Sequence, residues 1–118
     1  MKSNKNIPER YIERQIINYL RMQKWLACKI RTSGRIIKGN VFSLPKDELG
    51  VSDIIACSPD GIFHALEIKN AKGKQSDYQI AWGNMVKRIG GRYTILRSLE
   101  DAIEYVKNHT ENNPSNLK

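Results

Sequence analysis

The chain has 118 residues, of which 40% are hydrophobic, and a formal net charge of +8 at pH 7. This length predicts a single domain with one modest core, and no apolar run approaches the roughly 18 residues of a membrane-spanning helix. The polar N-terminus lacks the apolar stretch of a secretory signal. We therefore expect a cytoplasmic (intracellular) protein with no membrane partner.

The positive charge is concentrated in the first part of the chain. Residues 1–46 hold 11 Lys and Arg against 2 acidic residues, whereas residues 47–118 hold 9 against 10. Such asymmetry is typical of a surface that binds a polyanion such as nucleic acid. A basic surface that only aids solubility is the alternative interpretation.

In chain order, the first predicted element is a helix over about 8–24, which begins at Pro8 and repeats apolar residues at helical spacing. A strand follows over 25–31. A polar connection then runs over 32–50, and its length indicates a functional or mobile segment.

Two predicted strands, near 51–58 and 62–69, flank the turn string Pro59-Asp60-Gly61. Ser76 then predicts the start of a helix that ends near 89, and a strand follows over 92–97. Ser98, with Asp101 three residues later, predicts the start of a last helix. The order is α-β-β-β-α-β-α, with a single domain over 1–118, a core over about 8–107 and a frayed tail over 108–118.

Asp53, Glu67 and Lys69 are the candidate site residues of the two central strands. Alternate residues of a strand share a face, so Glu67 and Lys69 point the same way. If the strands pair around a three-residue loop, Ser58 lies opposite Ile62 and Asp53 lies opposite Glu67. A slip of one residue would move Asp53 to the other face.

Two carboxylates beside an ammonium group suit a hard divalent cation and a phosphate. Phosphodiester hydrolysis uses a metal ion to generate hydroxide near neutral pH and to neutralise phosphate charge. Mg²⁺ prefers oxygen ligands and retains several waters. Asp53, Glu67 and the backbone carbonyl of Ile68 are candidate ligands of Mg²⁺ or Mn²⁺, and Lys69 is placed to stabilise developing negative charge.

The sequence also resembles the VRR-NUC domain family of the PD-(D/E)xK nuclease superfamily over roughly residues 9–106. The matching segments are 50–53 (Gly-Val-Ser-Asp), 67–69 (Glu-Ile-Lys), Gln79 in the following helix, and 93–101. Ser52 stands where the superfamily name places Pro. The resemblance implies an α/β fold with a restriction-endonuclease-like core, in which a small mixed β-sheet is flanked by helices. It also implies Asp53 and Glu67 as metal ligands and Lys69 as catalytic.

Members of this family often add a glutamate from the first helix. Glu13, followed by Arg14, is our first choice, and Glu9 is the second. Both are also interpretable as exposed acids paired with nearby arginines. Gln79 is a candidate for orienting a water or holding the site, or is a plain helix-surface residue.

Basic and polar residues of the first half and of the loop after the second central strand are candidates for DNA contact. They are Arg14, Arg31, Ser33, Arg35, Lys38, Lys72 and Lys74. Trp25 and Trp82 are expected in the core, His64 on a strand surface, and His109 in the frayed end.

The predicted function is a metal-dependent DNA endonuclease. Because related standalone domains resemble dimeric junction resolvases, we expect a homodimer that cleaves Holliday junctions or similar branched DNA. The alternatives are a non-catalytic DNA-binding module and a nuclease that acts on flaps, linear ends or single-stranded ends.

Overall fold

A computed structural model of the chain describes residues 7–30, 35–37, 40–42 and 50–112. Its elements in chain order are α1 (Glu9–Met22), β1 (Leu26–Lys29), β2 (Arg35–Ile37), β3 (Asn40–Phe42), β4 (Ile54–Cys57), β5 (Phe63–Ile68), α2 (Asp77–Arg88), β6 (Arg92–Leu96) and α3 (Leu99–Asn112).

Four strands form a mixed sheet in the order β1-β4-β5-β6. The β1–β4 and β4–β5 pairs are antiparallel, whereas β5 and β6 are parallel. A parallel pair needs a long crossover, and α2 supplies it. This is the predicted α/β architecture, and all seven predicted elements are present.

The core lies between one face of the sheet and helices α1 and α3. Ile16 and Leu20 of α1 and Ile54 of β4 are fully buried in it, and Leu66 of β5 packs with them. The alternation in β4, where Ile54 and Ala56 are buried and their neighbours are less so, is that of a strand with one face on a core. Burying one such large aliphatic side chain contributes roughly 1.5–3 kcal/mol.

β2 and β3 were not predicted. They form a separate two-stranded antiparallel sheet within the segment that the sequence indicated as a connection. Ile36, Ile37, Val41 and Phe42 are residue types that favour strands. Each run is only three residues long, which is too short to show a periodic pattern.

α3 extends to Asn112, so the expectation of a frayed end from 108 is wrong for residues 108–112. His109 holds this part of the helix, because its Nε2 lies 2.9 Å from Oδ2 of Asp60 in the β4–β5 turn. The domain bounds themselves stay a prediction.

The expectation of a surface position for His64 is also wrong. His64 has no exposed area and lies in a buried aromatic cluster with Trp25, Tyr105 and His109. Its Nδ1 lies 2.7 Å from the Tyr105 hydroxyl, and its Nε2 lies 2.9 Å from Oγ of Ser58. Helix α3 packs over this end of the sheet. The alternation of residues along a strand does not show which face a distant helix will bury.

Trp25 is buried, as predicted, whereas Trp82 is only half-buried and packs edge-on against Tyr93. No helix among the described residues is both long enough and apolar enough to cross a bilayer.

Candidate active site

The β4–β5 hairpin has the predicted register. Ile54 pairs with Leu66 and Cys57 pairs with Phe63, and continuing this register sets Asp53 opposite Glu67. The Ser58 N–H donates to Ile62 O at 3.1 Å, which closes the predicted three-residue loop. Gly61 in that loop has φ +86°, the left-handed conformation that such loops need at this position.

Asp53 is fixed at the start of β4 from two sides. Its Oδ2 accepts a hydrogen bond from the Ile68 N–H at 2.8 Å. Its backbone carbonyl accepts one from the Ile30 N–H, also at 2.8 Å. The Asp53 carboxylate therefore lies against the end of β5, beside Glu67.

Glu67 is fully buried. Its Oε2 accepts a hydrogen bond from Nε2 of Gln79 at 2.6 Å, and the Tyr93 hydroxyl makes a longer contact of 3.5 Å to Oε1. Burial, with the repulsion of the neighbouring Asp53 carboxylate, raises the pKa of Glu67 to about 8, although Lys69 acts in the opposite direction. Two carboxylates thus share a site that resists a second negative charge.

Gln79 reaches Glu67 because of the way α2 begins. Ser76 is the N-cap, its Oγ accepts from the Gln79 N–H, and the Gln79 Oε1 accepts from the Ser76 N–H at 2.8 Å. This reciprocal capping box fixes the Gln79 amide so that its NH₂ group points at Glu67. Gln79 is therefore a bonded partner of Glu67, and its role at the site stays a prediction.

Gly50 brings the chain entering β4 against the first turn of α2. It has φ +88°, and a Cβ at this position would lie 2.2 Å from the Tyr78 carbonyl oxygen. Only glycine permits this approach without displacement of backbone. The glycine three residues before Asp53 thus helps to set the distance between the carboxylates and α2.

Lys69 follows β5 and is half-buried. Its N–H donates to Leu96 O at 3.2 Å, which continues the β5–β6 pairing by one residue. Arg97 holds the next loop, because its Nη1 donates to the carbonyls of Asn70 at 2.7 Å and Gly73 at 2.8 Å. The ammonium-bearing residue is therefore anchored on both sides.

The two helix glutamates have different partners. Oε2 of Glu9 accepts from the Asn70 N–H at 3.1 Å, directly after Lys69. Glu13 is buried and forms an ion pair with Lys29, 3.1 Å between Oε1 and Nζ. These contacts favour Glu9, our second choice, as the acid at the site edge, and the role of either residue stays a prediction.

The predicted DNA-contact residues are less completely described. Arg14 is exposed on α1, and Lys72 and Lys74 are exposed in the loop after β5. Arg31, Ser33 and Lys38 lie outside the described residues, and of Arg35 only the backbone in β2 is described. Their contacts with DNA stay predictions.

Sequence reasoning missed the roles of Tyr93 and Gln75. Nε2 of Gln75 donates to the Tyr93 hydroxyl at 2.8 Å, and that hydroxyl faces Glu67. Burial raises the pKa of Tyr93 to about 12, so the hydroxyl is a neutral donor near pH 7. Tyr93 fell within a segment that matched the family, but no local pattern indicated that it would meet Glu67.

The donor set fits Mg²⁺ or Mn²⁺. Within the described part of the chain, no group of three or more His, Cys, Asp or Glu side chains is placed to hold a metal ion, so Asp53 and Glu67 stand as a pair. Mg²⁺ is commonly held in this way, by one or two carboxylates together with waters and substrate phosphates. A cation between Asp53 and Glu67 would also relieve the repulsion that raises the pKa of Glu67.

Comparison with known proteins gives one strong structural likeness. A solved structure described as a VRR_NUC domain matches this chain with a TM-score of 0.64 and 14% sequence identity, over 86% of this chain and 96% of that one. No family model and no curated protein matches the sequence. The chain therefore has the fold of a VRR_NUC domain, which confirms at the level of fold the resemblance seen in the sequence.

Proposed function

We propose that the chain is a metal-dependent deoxyribonuclease that hydrolyses phosphodiester bonds at the Asp53–Glu67 pair. The observation that carries this proposal is the burial of Glu67 beside Asp53, which raises the pKa of Glu67 to about 8. A purely structural pair of acids would be an unfavourable arrangement at the end of a small sheet. The VRR_NUC fold supports the assignment to the nucleases.

The proposed ligands of Mg²⁺ or Mn²⁺ are Asp53, Glu67 and the backbone carbonyl of Ile68. When bound, the cation supplies hydroxide near neutral pH and neutralises charge on the phosphate. Gln79 keeps the Glu67 carboxylate in place through the 2.6 Å hydrogen bond. The Tyr93 hydroxyl faces its other oxygen at 3.5 Å.

Lys69 is the proposed catalytic cation. It shares a strand face with Glu67, and its backbone is held by β6. An ammonium group at this end of β5 would stabilise the negative charge that develops on the phosphate in the transition state. Glu9, bound to the Asn70 N–H next to Lys69, is the proposed helix acid at the edge of the site, and Glu13 is the alternative.

We propose branched DNA, such as a Holliday junction, as the substrate and a homodimer as the acting form. A small domain with an acidic site and a basic first half suits recognition of backbone shape more than base reading. Two sites in a symmetric dimer could cut opposite strands.

The test is cleavage of labelled junction, flap, duplex and single-stranded DNA with Mg²⁺ and with Mn²⁺. The parent should cut, preferentially at the junction, whereas Asp53→Ala and Lys69→Ala should bind DNA without cutting it. Binding by all three proteins with cleavage by none would identify a DNA-binding module instead. Preferential cutting of flaps or ends would overturn the junction assignment, and a monomer by light scattering would overturn the dimer.

A further inference from the structure

A cationic groove lies between α1 and β1. Its volume is about 460 Å³, and charged side chains line most of it. Four are cationic, and Glu13 is the one anion, so the lining carries a net charge of +3. They are Arg10, Arg14, Arg21, Lys29 and Glu13.

Three arginines form a stripe along α1. Arg10, Arg14 and Arg21 lie at helical spacings of four and seven residues, which places them within about 40° of one another around the helix. All three are exposed, whereas Ile17 beneath them is buried. The eleven residue steps from Arg10 to Arg21 rise about 16 Å along the axis, a length that spans about five nucleotides of one strand in B-form DNA.

The groove holds some of its cations in place. Nε and Nη2 of Arg21 donate to the Ala27 carbonyl at 3.2 and 2.9 Å. The Arg10 guanidinium lies 4.9 Å from the centre of the Tyr11 ring. These contacts reduce the side-chain entropy that binding an anion would otherwise cost.

The Glu13–Lys29 pair lies in the same groove. The Lys29 side chain remains 56% exposed, whereas that of Glu13 is only 12% exposed. Glu13 therefore anchors Lys29 from below and leaves its ammonium group open to a second anion. This contact gives Glu13 a positioning role in the groove.

The groove reaches the end of the sheet that carries the acidic pair. Lys29 pairs with Ile54, the residue after Asp53, and the neighbouring Ile30 N–H donates to the Asp53 carbonyl. We infer that the groove binds the phosphate backbone of the DNA strand that enters the Asp53–Glu67 site. This inference rests on the proposed nuclease function, and the cationic lining complements a polyphosphate strand.

The experiment measures DNA binding apart from cleavage. The Asp53→Asn protein is titrated with fluorescent junction DNA in EDTA, at salt concentrations between about 50 and 200 mM, where counterion release is easily resolved. Arg14→Gln should reduce the magnitude of the slope of log K against log salt by about one, the equivalent of one phosphate contact. The double variant Arg10→Gln, Arg14→Gln should reduce it by about two. Arg14→Lys should retain most of the slope because it keeps the charge.

Arg88→Gln on α2 is the matched control, because it removes an exposed helix arginine from an element that packs on β6. It should leave the slope unchanged. A double Arg10→Gln, Arg14→Gln variant that folds normally by circular dichroism yet keeps the parent slope would overturn the inference. An acidic polypeptide that competes as well as DNA at equal charge would overturn the assignment to a phosphate strand.

The experiments can overturn the groove assignment and the nuclease assignment independently. If the parent cuts DNA with Mg²⁺ but the arginine variants keep the parent slope, the groove assignment is wrong and the nuclease stands. If no substrate is cut but the slopes fall as expected, the groove binds DNA and the nuclease assignment is wrong.

Discussion

The Gln79 amide donates a hydrogen bond to the Glu67 carboxylate over 2.6 Å, while its carbonyl oxygen caps the helix on which it sits. One side chain thus joins the start of α2 to the buried acid of β5. A change in the first turn of α2 should therefore reach the acidic pair.

Gln79→Ala should weaken both helix and site, whereas Ser76→Ala should weaken mainly the helix. Each removes a capping contact, and each should lower the free energy of unfolding by about 1 kcal/mol. Only Gln79→Ala removes the donor to Glu67, so only this change should reduce Mn²⁺ affinity markedly. Urea unfolding and a Mn²⁺ titration measure the two effects. Equal loss of Mn²⁺ affinity in both variants would contradict this division.

Cation binding should release a proton at the pH of ordinary buffers. The pKa of Glu67 is raised to about 8, so Glu67 is largely protonated at pH 6.5 and must ionise to act as a ligand. Mg²⁺ or Mn²⁺ affinity should then rise about tenfold per pH unit below pH 8 and level off above it. Calorimetry in two buffers of different ionisation enthalpy counts the proton. Binding without proton release at pH 6.5 would show that Glu67 is not a ligand.

Gly50→Ala should destabilise the protein more than Gly61→Ala. Both glycines have a positive φ, near +88° and +86°, but a Cβ at Gly50 meets the Tyr78 carbonyl at 2.2 Å, whereas none of the described atoms lies within 4 Å of one at Gly61. Backbone strain alone costs about 1–2 kcal/mol, and the added clash should bring the loss at Gly50 to about 3 kcal/mol or more. Urea unfolding measures both, and equal losses would argue against close packing of Gly50 on α2.

The buried His64 should make stability depend on pH. Burial lowers the pKa of His64 to about 4 from 6.5, so below pH 6.5 the unfolded chain takes up a proton that the folded chain does not. The contribution of His64 to the free energy of unfolding is complete above pH 6.5. As the pH falls to about 4, this contribution is lost, at up to about 1.4 kcal/mol per pH unit. Glu67, with its raised pKa, has the opposite dependence between pH 4.5 and 8.

Comparison of the parent with His64→Gln separates these two groups, because both proteins retain Glu67. The variant should be less stable at pH 7, and its deficit should shrink as the pH falls from 6.5 to 4. The free energy of unfolding in urea at several pH values is the measurement. A deficit that stays constant with pH would show that His64 takes up its proton equally in both states.

Glu9→Gln should reduce cleavage and Mn²⁺ affinity more than Glu13→Gln. Glu9 lies beside Asn70 and Lys69, whereas Glu13 is bound to Lys29. Glu13→Gln should instead steepen the salt dependence of DNA binding, because it removes the one anion from the α1–β1 groove. Loss of Mn²⁺ affinity in Glu13→Gln alone would restore Glu13 as the helix acid.

Local patterns were enough to predict much of this fold. Strand alternation and the Pro59-Asp60-Gly61 turn predicted the register in which Asp53 lies opposite Glu67. Ser76 correctly predicted the start of α2. The Ser98 Oγ also accepts a hydrogen bond from the Asp101 N–H. The Asp101 carboxylate, however, accepts one from the Arg97 N–H and not from the Ser98 N–H. These features depend on residues within a few positions of one another, or on one tight turn.

The exposure of Cys28 and the aromatic cluster around His64 were beyond such patterns. Cys28 lies in an apolar stretch yet is exposed, because it is on β1 at the edge of the sheet. His64 is in a strand yet is buried, because α3 brings Tyr105 and His109 over it. Whether a strand residue is buried depends on helices that pack on that face of the sheet and are distant in the sequence.

The sequence by itself determined that Glu67 and Lys69 share a face, because alternate residues of a strand point the same way, and the length of the hairpin loop predicted that Asp53 lies opposite Glu67. Only the tertiary structure decided that Gln79 bonds Glu67 and Tyr93 faces it, that Glu9 meets the end of β5, and that Glu13 pairs with Lys29. Those contacts join elements through the packing of α1 and α2 on the sheet, and the relative placement of packed helices leaves no signal in a short stretch of sequence.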